Sequence, residues 1–143
     1  MAEFVIKEQI DQVIVGGEAK VLVDTAQNIA KQMIVKKNNG RLDESRSVST
    51  SQIRNIYGAT KKIDMSLKQD NAQEKYSSLL LLKPKMAYAN GRHNKNNSIR
   101  GFTTLVESLS YAIDQVDGDY KRMKNFFNFF EAILAYHKAE GGK

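Results

Sequence analysis

The sequence predicts an all-α protein, a compact bundle of about five helices with one of them kinked or broken at a proline. Three observations predict it. Apolar residues recur at spacings of three and four along most of the chain, and two-residue alternation is confined to short stretches such as Lys20 to Asp24. Candidate caps, glycine pairs and polar segments interrupt that pattern at helix-like intervals. The only proline, Pro84, lies inside an apolar-periodic segment, where it removes a backbone donor and clashes one turn back.

Taken in order, a first helix uses Ile6, Ile10, Val13 and Ile14 before Gly16-Gly17 interrupts it. A second follows Leu22, Ala26, Ile29, Ala30 and Met33 and ends in the polar run Lys36 to Gly40. Arg41 to Val48 has little apolar content and mixed charge, as expected of a mobile surface loop. Ser49 and Gln52 fit a capping box, and Ile53, Ile56, Tyr57, Thr60, Ile63 and Leu67 form a buried stripe behind it. Asp70 or Asn71 caps the proline-containing segment, with Tyr76, Leu79, Leu80, Met86 and Ala87 as core, and Asn90-Gly91 closes it. After an exposed loop, His93 to Ser98, a helix carries Phe102, Leu105, Val106, Leu109, Ile113 and Val116 on one face, with Ser98 as its candidate cap. Asp117-Gly118-Asp119 stops that helix and starts the last, whose wide face of Met123, Phe126, Phe127, Phe129, Phe130, Ile133 and Leu134 must pack on several neighbours.

A chain of 143 residues suits one domain, burying roughly two-thirds of its unfolded surface. A single domain spanning residues 1–143 is therefore expected. The hydrophobic fraction of 41% and charged fraction of 27% are those of a soluble globule. The absence of cysteine removes disulfides, thiolate metal sites and cysteine nucleophiles. The opening Met1 to Val5 has no basic segment leading into a long apolar stretch, and no run of apolar residues is long enough to span a membrane. A cytoplasmic protein without a membrane partner is the expectation.

The catalytic inventory is thin. His93 and His137 are the only imidazoles, and neither sits in a nucleophile, metal or phosphate-loop signature. No catalytic residue, metal, cofactor or small-molecule substrate is predicted. His137, one turn beyond the aromatic face, reads as a partly buried histidine satisfied by backbone or solvent, and His93 as a loop residue able to touch a phosphate or a base. The phenylalanines of the last helix read as core, because a stacking surface for RNA would interleave exposed aromatics with Lys and Arg.

Charge is the informative property. The net charge of +6 is regional: residues 1–40 hold five lysines and five acids, whereas residues 83–100 hold five cations and no acid. Arg54, Lys61 and Lys68 recur every seven residues and so line one stripe of a helix; Lys83, Lys85 and Arg92 flank Pro84; Lys121, Arg122 and Lys124 open the last helix, unfavourably for its dipole. Any one of these suits a solvated side chain. Gathered on one side, they have the footprint of phosphate contacts.

Three stretches carry a resemblance. Ser49-Thr50-Ser51-Gln52-Ile53-Arg54, Lys83 to Arg92 (KPKMAYANGR) and Phe130 to Lys138 (FEAILAYHK) resemble, in order and spacing, the signatures of the small subunit of type III-A CRISPR interference complexes, the Csm family. The resemblance covers residues 49–142 as a family core, leaving 1–48 as variable N-terminal helices and a loop. It implies an all-helical, non-catalytic ribonucleoprotein subunit stacked with other subunits and further copies of itself beside guide and target RNA, contacting the RNA backbone without sequence readout. Arg54 and Arg92 come from two of the signatures, with Lys83 and Lys85 beside the second. Each arginine either contacts phosphate or is held by an acid such as Glu131 to fix helix packing. The RNA-binding candidates are thus Arg54, Lys61, Lys68, Lys83, Lys85, Arg92, Lys121 and Arg122. A helical adaptor for acidic protein surfaces is the alternative, and an enzyme whose site assembles only in the fold ranks third.

Overall fold

The computed structural model describes the backbone of residues 2–143 and the side chains of residues 6–143. Seven α-helices follow one another: α1 (Ala2–Ile14), α2 (Ala19–Gln32), α3 (Thr50–Ser66), α4 (Ala72–Leu80), α5 (Leu82–His93), α6 (Arg100–Val116) and α7 (Tyr120–Ala139). Short 3-10 turns precede α4 (Gln69–Asn71) and α6 (Lys95–Asn97). Among the described residues there is no strand, only an isolated bridge between Lys36 and Leu42.

The count exceeds the expected five or so partly because the proline-containing segment is two elements. α4 and α5 meet at Leu81, whose dihedrals (φ −69°, ψ −10°) stay in the right-handed helical region. Pro84 is not interior to a helix. It is the third residue of α5, where a backbone N–H would have no intrahelical partner to lose. Its segment also runs further than Asn90-Gly91, ending at His93. Asn94 does the closing: its side chain bonds Asn90, Asn97 and Thr103, and its Oδ1 accepts from the Ile99 amide at 2.6 Å. Ser98, expected to cap α6, is displaced from that role because Ile99 precedes the helix and Asn94 satisfies its amide.

Two other caps follow the sequence, whereas Asn71 precedes α4 without a side-chain cap bond, its Oδ1 accepting from the Lys68 amide instead. Ser49 and Gln52 form a reciprocal capping box, and the Asp119 side chain accepts from the Arg122 amide at 2.9 Å. Asp117 and Gly118 both adopt positive φ to end α6, a conformation that glycine takes without steric cost.

α7 lies along α2, and α1 packs on α2 and α6, while α3, α4 and α5 cover the remaining flank. All contribute to one hydrophobic cluster. Phe102, Phe126, Phe129 and Phe130 are among its largest fully buried side chains, and Tyr57 meets Phe130 edge-on at 5.6 Å between centroids. Leu80 and Ala87, expected in the core, are exposed instead, Ala87 because it lines an open cleft between α1, α5 and α6 rather than a packed contact.

The polar stretch before α3 is exposed at Arg41 and from Glu44 to Arg46, but Ser47 and Val48 are buried. Ser47 Oγ bonds both the amide and the carbonyl of Val35, and the Val48 amide donates to Met33 at 2.8 Å. His137, 2% exposed, donates from Nε2 to the Val48 carbonyl at 2.7 Å. The C-terminal helix thereby holds the entry to α3.

Candidate nucleic-acid interface

α5 presents a basic face interleaved with an aromatic. Lys85, Tyr88 and Arg92 stand at spacings of three and four, so they share one side of the helix, and all three are exposed. Tyr88 is 67% exposed, an unusual position for so large a ring. Beside this face runs a groove of about 520 Å³ between α3 and α5, lined by Ser51, Gln52 and Asn55 on one wall and Lys85, Tyr88 and His93 on the other. No acidic residue lines it. His93 closes the end by stacking over Phe102, with centroids 6.4 Å apart and planes 13° from parallel.

The groove joins the N-terminal half of α3 to α5, and so brings together the two segments that carry the first and second signatures. Gln52 is already committed to the capping box through Oε1, whereas Asn55, Lys85, Tyr88 and Arg92 make no side-chain hydrogen bond among the described residues. Their donors face solvent. A free lysine, an amide and an exposed ring in the groove, with Arg92 beside them on the same side of α5, suit a phosphodiester strand.

The remaining candidates do not converge on it. Arg54 is exposed on α3 but turned away from the groove, since helical spacing sets it on the side of Lys61 rather than of Asn55. Lys61 reaches Glu131 of α7 at 3.4 Å. That hydrogen bond, with the nearby Tyr57 and the Glu131 charge, raises the Lys61 pKa above its ordinary value. Glu131, offered by the sequence as a partner for Arg54 or Arg92, is therefore engaged elsewhere. Lys68 is not on the α3 stripe: the helix ends at Ser66, and Lys68 is extended, its amide donating to Asn71 Oδ1 at 2.7 Å.

Lys83 points to the opposite side of α5 and pairs with Asp114 of α6. It lines a second cleft of about 630 Å³ between α1, α5 and α6, where Tyr111 donates to Asp11 at 2.8 Å and Lys7 lies over the Tyr111 ring. Opposite charges alternate there, so it lacks the single sign of the α3/α5 groove.

The cations at the start of α7 mostly serve the fold. Arg122 donates from its guanidinium to the Gln115 carbonyl at 3.2 Å, satisfying an orphan acceptor in the last turn of α6. Lys124 pairs with Asp64 at 3.3 Å and lies over Tyr120. A position unfavourable for one helix dipole is thus favourable for its neighbour's C-terminus. Lys121 is exposed.

Sequence reasoning missed Tyr88. The signal was present as Lys85-x-x-Tyr88-x-x-x-Arg92 in an acid-free segment, but periodicity alone does not say which side of a helix remains uncovered. Among the described residues no group of His, Asp or Glu gathers as a metal site, and no helix is long and apolar enough to cross a membrane.

A family model described as Csm2 Type III-A matches residues 17–143, beginning upstream of the first signature and including α2. No curated protein and no solved structure matches the chain. With the match covering most of the chain and an all-helical structure beneath it, the chain belongs to the Csm2 Type III-A family.

Proposed function

We infer that this protein is a non-catalytic, RNA-binding small subunit of a type III-A CRISPR ribonucleoprotein. Membership of the family implies assembly with other Csm subunits. Within such an assembly the chain acts in the cytoplasm as one packed unit, stacks with further copies of itself, and contacts guide and target RNA through the backbone. Sequence choice then belongs to the guide, as a defence complex with changeable guides requires.

The observation that carries RNA contact is the acid-free outer face of α5, where Lys85 and Arg92 flank an exposed tyrosine. These two cations are the primary phosphate contacts. Arg54, Lys68 and Lys121 are exposed and without an acidic partner among the described residues, and extend the basic surface at its margins. Lys61, Lys83 and Arg122 are held within the chain, and their pairs must exchange before they meet phosphate. Exposed pairs are weak enough to exchange.

The test is the salt dependence of RNA binding. Each phosphate contact to a single strand contributes roughly 0.7 to the slope of log K against log salt concentration, so Lys85→Ala/Arg92→Ala should lower the slope by between one and two. Helicity should be unchanged, since both side chains are exposed. Unrelated RNA sequences should bind alike. An unchanged slope would refute phosphate contact at α5, and saturable binding of acidic proteins in place of RNA would establish an adaptor.

A further inference from the structure

Resting on the RNA-binding function above, we propose that Tyr88 is a stacking platform for an unpaired nucleobase, so that the α3/α5 groove selects a strand with at least one base turned out of its stack. The ring is too exposed to belong to the core, and Met86, two residues earlier, is the residue of this stretch that is buried. A surface tyrosine of this exposure leaves apolar area in water, which a base of any identity can cover without sequence readout.

Its setting identifies the occupant. Lys85 and Arg92 lie one turn before and one turn after it on the same face, a separation of about 11 Å along the helix axis at 1.5 Å per residue, so phosphates on either side of a stacked nucleotide meet a cation each. The groove wall holds no carboxylate that would repel the backbone, and Asn55 offers an uncommitted amide opposite the ring. The phenylalanine row of α7 is excluded from such a role because it is buried. Leu81 is also exposed, one turn before Lys85, but it lies outside the interval from Lys85 to Arg92, within which alternating cation, aromatic and cation matches the alternation of phosphate, base and phosphate.

The chain contains no tryptophan, which provides a direct reporter. Full-length protein carrying Tyr88→Trp should show its indole emission quenched on binding an oligouridylate of roughly 12 nucleotides. An oligomer of abasic ribose phosphates of the same length should bind without quenching. In parallel, Tyr88→Ala should weaken oligouridylate binding roughly 5- to 100-fold while leaving the salt slope and the affinity for the abasic oligomer unchanged, and Tyr88→Phe should restore most of the affinity. Blunt-ended duplex RNA, whose bases are paired, should be insensitive to Tyr88→Ala. An unquenched indole, or equal binding of oligouridylate by wild type and Tyr88→Ala, overturns base stacking. If Lys85→Ala/Arg92→Ala still lowers the slope in that case, backbone contact stands alone; if wild type binds no RNA even at low salt, both fall.

Discussion

Replacing Gly101 by alanine should destabilise the protein, although alanine is the better helix former. Gly101 is the second residue of α6, set against the end of α2: a Cβ built there collides with the Gln32 carbonyl oxygen and comes within 2.6 Å of Met33 Cα. Both obstacles are backbone atoms, so no rotamer change relieves them. The two helices must separate by about 1 Å to restore ordinary contact, against a close-packed interior. Overpacking of this kind costs about 1–3 kcal/mol, and the gain in propensity offsets at most about 1 kcal/mol of it. Gly58 and Gly91 provide the control, since both are helical and a Cβ at either meets nothing within 4 Å. Gly58→Ala and Gly91→Ala should each stabilise by about 0.5–1 kcal/mol. Thermal unfolding followed by circular dichroism reads all three: the midpoint should fall by several degrees for Gly101→Ala and rise by a few for the other two. A midpoint for Gly101→Ala equal to or above that of Gly58→Ala would refute the close approach of α2 and α6.

Further outcomes follow from particular bonds. His137→Ala strips the Val48 carbonyl of its buried donor and should cost about 2–3 kcal/mol in urea unfolding; a loss below 0.5 kcal/mol, on the order of an ordinary surface change, would mean that the carbonyl finds another donor. Lys61→Met should leave the unfolding midpoint near that of wild type, because its pair with Glu131 is exposed, and a large drop would mark the pair as structural. Tyr76 and Tyr111 are both raised above the ordinary tyrosine pKa, chiefly by burial, with the Asp11 hydrogen bond adding to Tyr111. The folded state therefore holds these phenolic protons more tightly than the unfolded one. Their contribution is complete below the unfolded value near 10 and is lost as pH rises through the folded values. Stability measured from pH 9 upward should fall less steeply in Tyr76→Phe/Tyr111→Phe than in wild type; parallel curves would exclude these two groups.

Much of the fold is legible from local pattern. The apolar spacing of α2, α3, α6 and α7 and the capping boxes or caps at Ser49 and Asp119 are properties of residues within one turn of each other, and short-range sterics and hydrogen bonding decide them. The boundaries that escaped are those where a distant side chain intervenes. Asn94 closes α5 through Thr103, and His137 draws in Val48 from 89 positions away. The candidate interface is legible to a lesser degree. An acid-free basic segment around Lys85 and Arg92 stands in the sequence, as do the signatures that resemble the family.

The positive charge itself was thus determined by the amino-acid sequence, as were the helical periodicity, the aromatic core of α7 and the membership that the three signatures announced. Which cations remain free was decided only by the tertiary structure. Lys61 meets Glu131 across 70 positions, Lys83 meets Asp114, and Arg122 turns to the end of α6, while Lys85, Tyr88 and Arg92 are left facing water. Periodicity fixes the side of a helix on which a residue stands, but its neighbours across a helix crossing depend on packing angles and on small residues such as Gly101. Those relations connect residues far apart in the chain, and no local pattern records them.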